Sequence, residues 1–304
     1  MNADIAEPLP VEPGASAEDE PSGWRPNFGD LWPYIVALAL FAVVARTTLG
    51  AWWYAYTRPE SFYNHALLIP ALSLLMLWRK RECLRGLKPS PSFGALVILA
   101  LVCLLQIDAA QREIQIVMSW SLIFMIWSAV WFVGGAEFIR VAKYPLLFLA
   151  LMVPLPGPWL NDSTHGLQQL STGGASWLLA HTGFDNVRSG YEIKLSDYTL
   201  FVDVPCSGFK TLLALLTFDV FFAYMLNGSV LKRSAIFAVS IPLAVAVNVV
   251  RIVLIALVGQ CVSDDAARSF HDYSGLITLV IGFAFLFGLA RLFGCRKFAG
   301  LDIF

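Results

Sequence analysis

The sequence predicts an all-α polytopic membrane protein with about eight transmembrane helices, carrying on one side a small amphipathic helix and a β-hairpin. Three observations point there. Of 304 residues, 58% are hydrophobic and only 14% charged, with a mean hydropathy of +0.67, whereas a soluble domain carries roughly a quarter charged residues. Apolar runs long enough to cross a bilayer recur along the chain. Basic residues gather in alternate loops, the pattern left by positive-inside bias.

Taken in order, Met1 to Asp30 is rich in Pro, Glu, Asp and Ala and poor in core-forming residues. It reads as a disordered cytoplasmic tail. It is not a signal peptide, because no basic start leads into an apolar run. Residues 31–304 then form the membrane domain. Its spans are expected near Leu31–Tyr54, Tyr63–Trp78, Phe93–Gln106, Ile114–Val133, Val141–Leu155, Gly208–Leu226, Ser234–Val258 and Tyr273–Phe293. The third and fifth are close to the lower length limit for crossing.

Loop charges orient this bundle. Arg79, Lys80, Arg81, Arg85 and Lys88 follow the second span, Arg140 and Lys143 precede the fifth, Lys232 and Arg233 follow the sixth, and Arg291, Arg296 and Lys297 close the eighth. With eight spans all of these fall on one side, which the bias makes cytoplasmic, so both termini are expected there. The net charge of −1 says nothing about nucleic acid, and no basic stripe with interleaved aromatics argues for it, so no nucleic-acid partner is expected.

The longest outer loop, 157–205, divides in two. Trp159 to His181 mixes Trp159, Leu160, Leu167, Leu170, Trp177 and Leu178 with polar residues, which suggests an interfacial helix interrupted at Gly173-Gly174. Asn186 to Val204 alternates apolar and polar residues around two turn signals, a small β-hairpin. Such an element can hold an extended peptide by strand addition.

The hairpin runs into Val202-Asp-Val-Pro-Cys-Ser-Gly-Phe-Lys-Thr-Leu-Leu213. Cys206 is thereby placed in the first turn of a helix, where unpaired N–H groups favour a thiolate and a developing oxyanion. In the next span Asn248 and Arg251 sit inside an apolar run, and intramembrane charges usually face the bundle interior and serve function. His271 is expected in the outer loop just before the last span. Three separated pieces of chain thus bring Cys, Arg and His to one face. Cys206 would attack a peptide carbonyl, with His271 as base and then acid. Arg251 and backbone N–H groups near Ser207 and Gly208 would hold the oxyanion, and Asn248 would orient Arg251 or the substrate.

Other readings of these residues stand beside this one. Cys206 and Cys261 both fall on the outer side and can form a disulfide. Arg251 can pair with Asp219 inside the bundle. His271 with Asp272 can be an ordinary solvated loop, leaving His165 or His181 as the base. All four histidines, His65 included, fall on the outer side, but no HxxxH or HExxH spacing argues for a metal or haem. Five cysteines make no CxxC pair. No metal or cofactor is expected.

Pro205-Cys-Ser-Gly208 opening a span, Asn248-x-x-Arg251 in the next and His271 before the last resemble the exosortase/archaeosortase family of membrane cysteine transpeptidases. His65, at the start of a span ending in Trp78-Arg-Lys-Arg81, is similar to the family's amino-terminal half and is carried as a substrate-orienting candidate. The resemblance covers roughly Tyr63 to Phe293. His271, where archaeal relatives carry arginine, favours the bacterial branch, in the inner membrane with the site on the periplasmic face. It implies cleavage of a carboxy-terminal tripartite signal on exported proteins: a short motif such as Pro-Glu-Pro (PEP-CTERM), a transmembrane helix and a basic cluster. Transfer to an unidentified acceptor nucleophile would follow, in systems linked to exopolysaccharide. Cys206, Arg251 and His271 carry the catalytic roles. The reading from a different class is a non-enzymatic transporter or assembly component of such a system.

Overall fold

Long apolar runs fold as helices because each satisfies its own backbone hydrogen bonds without water. The computed structural model describes residues 28–58, 61–295, 297–298 and 301–302. The chain divides into two compact units, Met1–Val43 and Val44–Phe304, and all contacts given below belong to the second. Helix α1 spans Phe28–Thr57. Most of the expected tail, up to residue 27, lies outside the described residues. A 3-10 turn, Asn64–Leu68, leads into α2, Ile69–Trp78, followed by the short α3, Arg81–Arg85. Helices α4, Phe93–Gln111, and α5, Gln115–Phe148, complete the first half. Then come α6, Gly157–His181, the strands β1, Val187–Ser189, β2, Glu192–Lys194, and β3, Thr199–Phe201, and helices α7, Phe209–Met225, α8, Val230–Cys261, and α9, Asp264–Leu292. A two-stranded pair, β4 (Lys297–Phe298) and β5 (Leu301–Asp302), follows.

Among the described residues, five helices are long and apolar enough to cross a membrane: Ile35–Thr57, α4, Gln115–Met152, α8 and α9. The expected count of about eight is not reproduced by that measure. Asn64–Trp78 and the 17-residue α7 are too short. The fourth and fifth expected spans form a single run of 38 residues, about 57 Å at 1.5 Å per residue. That is nearly twice the hydrocarbon thickness of about 30 Å. The run breaks at Gly135, whose φ of 79° and ψ of −176° are not helical. A Cβ there would stand 2.2 Å from Ser90 Oγ, so only glycine fits this bend. The chain reverses at Gly135: Gln115 and Ser119 before it and Pro154 and Leu155 after it line one cavity.

Two corrections concern the 157–205 region. The β element is a three-stranded antiparallel meander ordered β1-β2-β3, not a single hairpin, because a second tight turn at Ser196-Asp197 adds β3. Helix α6 runs through Gly173-Gly174 without interruption. A Cβ at Gly174 would meet Val249 of α8 at 2.9 Å, so this glycine admits a close helix approach and does not break the helix. The face α6 buries is also polar: Thr164, Gln168, Ser171 and Thr172 point inward, while Trp159, Leu170 and Trp177 are exposed.

The ends of α7, α8 and α9 differ in chemistry. At the α7–α8 turn Lys232 Nζ donates to Phe293 O at 2.7 Å, Arg233 Nη1 to Ala223 O, and Lys80 lies over the Tyr144 and Tyr224 rings. The other end of α7 carries Cys206.

Candidate active site

The chain leaves β3 under close control. Val202 N donates to Tyr191 O at 2.9 Å, and Gln168 Nε2 from α6 donates to Val202 O. Residues Val204–Ser207 then close a 3-10 turn in which Cys206 N donates to Asp203 O at 2.8 Å. Gly208, at φ +84°, ends the turn, and α7 begins only at Phe209. Cys206 therefore precedes the helix instead of occupying its first turn, because a left-handed residue separates the two. A side chain at Gly208 would be strained there, and its Cβ would stand 2.6 Å from Asn248 Cγ.

Asn248, expected to orient Arg251 or substrate, holds this turn instead. Its Nδ2 donates to Cys206 O at 3.1 Å and to Ser171 Oγ at 3.1 Å, and Ser171 Oγ donates to Ser207 O at 3.2 Å. Ser207 Oγ accepts from Phe209 N. Ser207 and Gly208 are fully enclosed behind the cysteine and do not line the cleft, so they shape the turn. A buried polar set of this kind fixes one geometry, since each unmet group costs about 1–3 kcal/mol.

The sulfur faces α9. Cys206 Sγ lies 2.5 Å from His271 Nε2. His271 is not in a loop: α9 begins at Asp264 behind a Ser263 cap, which places His271 inside the helix. Its Nδ1 faces Asp272 Oδ1 at 3.5 Å, a long contact to an exposed carboxylate. A proton on Nδ1 leaves Nε2 free to accept from the thiol. Arg251 reaches the same helix from α8, where Nε donates to Ser274 Oγ at 2.8 Å and Nη2 to His271 O at 3.3 Å. Ser274 Oγ in turn donates to His271 O at 2.9 Å. Arg251 thus clamps the backbone that carries the imidazole, and its Nη1 makes no hydrogen bond among the described residues.

Cys206 and His271 line a cleft of about 350 Å³, walled by Tyr198, Leu200, Phe201 and Asp203 on one side and Ala267, Arg268 and Asp272 on the other. Burial pushes the Cys206 thiol up to about 11; Asp203 adds to this and Arg251 opposes it. Burial thus favours the neutral thiol over the thiolate expected at a helix start. Burial also raises Tyr198, keeping its phenol neutral on the cleft wall.

The other candidates lie elsewhere. His65 lines a separate, mostly apolar cavity of about 570 Å³ with Trp120, Trp159 and Leu213. His165 contacts the Tyr191 hydroxyl and His181 the Trp177 carbonyl. All five cysteines are free, with Cys206 buried and Cys261 exposed, so the two do not pair. Asp219 is fully buried and makes no ion pair with Arg251. Gln168, Ser171, Ser274 and Tyr198 were not singled out from sequence. The available signal was the run of uncharged polar residues on one α6 face, which an interfacial reading turned outward.

Residues 52–288 match the family model of the transmembrane exosortases. No curated protein and no solved structure matches the chain.

Proposed function

The chain belongs to the transmembrane exosortase family, and from that membership and the Cys206–His271 pair we propose that it is a membrane cysteine transpeptidase. Its substrates are exported proteins bearing a tripartite carboxy-terminal signal of the PEP-CTERM kind. The observation that carries the chemistry is the direct Sγ–Nε2 contact between a buried thiol and a helix-borne imidazole.

In the proposed reaction, Cys206 Sγ attacks the scissile carbonyl carbon while its proton passes to His271 Nε2. The tetrahedral adduct collapses, the C–N bond breaks, and Nε2 returns the proton to the leaving amine, leaving an acyl thioester on Cys206. An acceptor nucleophile, deprotonated by His271, then attacks the thioester and regenerates the thiol. Arg251 Nη1 meets the developing oxyanion while Nε and Nη2 keep His271 in place. We place this site on the periplasmic face of an inner membrane, because the basic residues around Lys80, Lys232 and Arg233 collect at the opposite end of the helices.

The test is processing of a tripartite-signal protein from the same genome in cells expressing Cys206→Ala, with Cys261→Ala as control. Loss of the shortened product with Cys206→Ala alone supports the proposal. Undiminished processing by Cys206→Ala overturns the nucleophile assignment. Mass analysis of the new carboxyl end separates transfer from hydrolysis, since a free acid there makes the protein a protease.

A further inference from the structure

The register of the small sheet exposes a second function for β3. Leu195 N donates to Tyr198 O, and Val202 N donates to Tyr191 O. Between these bonded pairs, Thr199 stands opposite Lys194 and Phe201 opposite Glu192. Bonded and unbonded pairs alternate along an antiparallel ladder. The N–H and C=O groups of Thr199 and Phe201 therefore point away from β2, toward the open edge. They make no hydrogen bond to another element among the described residues.

Open edges are ordinarily blunted by charge, proline or a covering element. This one carries none of these: its outward side chains are Thr199 and Phe201, and Phe201 is 57% exposed. The meander's other edge, β1, differs. Arg188 lies across it, donating to Gly190 O and to Gln169 O of α6. Only β3 borders the cleft, and its chain continues through Val202 and Asp203 directly into the Cys206 turn. The opposite wall is α9, with Ala267, Arg268 and His271.

We propose that the free edge of β3 is the substrate track: the segment to be cleaved adds as a further strand, pairing its backbone with Thr199 and Phe201. That pairing delivers its scissile carbonyl to Cys206. This rests on the cysteine reading above and specifies how that site takes an extended peptide. Backbone pairing fixes the register of the strand, and a one-residue slip would present the wrong carbonyl. It also explains why a membrane protein keeps a meander of three-residue strands beside its nucleophile.

The experiment measures binding to the full-length Cys206→Ala protein in nanodiscs. The probe is a fluorescein-labelled peptide covering the motif segment of a tripartite-signal protein from the same genome. A series of these peptides carries one N-methyl group at successive residues. The expected result is alternation with a period of two: methylation at residues whose N–H meets β3 weakens binding at least tenfold, and methylation at intervening residues does not. Phe201→Pro removes an outward N–H together with the ring, so Phe201→Ala is its control: the proline variant should bind the unmethylated peptide at least tenfold more weakly than the alanine variant. No binding, a flat methylation profile, or equal binding by Phe201→Pro and Phe201→Ala overturns the track. The two readings fail separately. A flat profile with processing that needs Cys206 removes the track alone, and alternation without processing by the native enzyme removes the chemistry alone.

Discussion

Both halves of this membrane domain bury polar side chains, but they use them differently. In residues 44–155 each bond joins one pair of segments. Gln106 donates to Thr48, Trp52 Nε1 to Ser119 Oγ at 2.9 Å, Tyr56 to Met152 O, and Ser73 to Pro145 O at 2.8 Å. In residues 157–292 the bonds converge: Gln168, Ser171 and Asn248 all end on residues 202–207, while Arg251 and Ser274 end on His271. Scattered bonds add stability in small, separable amounts. Convergent bonds set one geometry, so their loss shows first in activity. The contrast predicts which substitutions damage catalysis at unchanged folding, and which do the reverse.

The largest effect belongs to Cys206 and His271, the pair proposed to react. His271→Ala removes the proton acceptor from a thiol that burial has pushed up to about 11. At pH 8 such a thiol is about one part in a thousand thiolate, so processing should fall below detection. The sign can be read directly from alkylation of Cys206 by iodoacetamide, followed by mass spectrometry. In His271→Ala the rate should climb steadily as pH rises from 8 toward 11, the range in which the thiol ionises. A plateau already reached at pH 8 would mean that the thiolate is stabilised without His271.

Next comes the turn that aims the sulfur. Gly208→Ala forces a side chain into a left-handed conformation, at about 1–2 kcal/mol, and pushes Asn248 from Cys206 O. A displacement of about 1 Å at a reacting atom can cost on the order of a hundredfold. Processing should drop by about that factor while the protein still inserts and remains monodisperse in detergent. Equal losses of folded protein and of activity would instead put Gly208 with the scattered stabilising contacts.

Arg251→Lys should cost about tenfold to a hundredfold. An ammonium is a point donor and cannot hold Ser274 Oγ and the His271 carbonyl in one plane. The measurement is the pH profile of processing. Loosening His271 alters the profile's shape, whereas loss of oxyanion stabilisation alone lowers its height.

How much of this was legible in the sequence follows the same divide. Cys206, Arg251 and His271 stood out because a cysteine after proline, a charge in an apolar run and a histidine before a span are each costly or unusual locally. The residues supporting them did not. Ser171 and Gln168 are ordinary polar residues, and only their inward face on α6 gives them meaning; that direction is set by packing against α8, not by composition. The same limit moved Asn248 from Arg251 to the Cys206 carbonyl, since a helix-mate three residues away is visible in sequence and a turn 42 residues earlier is not. The bend at Gly135 depended on Ser90 lying beside it, another contact that no local pattern encodes. His65 matched by order along the chain but lines a different cavity, because sidedness alone does not bring residues together.

The smallest predicted effect tests the scattered half. Gln106 is fully buried, donates to Thr48 Oγ1 and leaves its own Oε1 without a partner. Gln106→Leu keeps the volume, removes that unmet oxygen and leaves one hydroxyl unpaired. Interhelical hydrogen bonds in membranes contribute about 0.6 kcal/mol on average, so the two changes nearly offset. The unfolding midpoint in detergent should move by no more than the equivalent of about 1 kcal/mol, with processing unchanged. A fall in processing at unchanged stability would show that the amino-terminal half also positions the cysteine, and the division between scattered and convergent bonds would then be wrong.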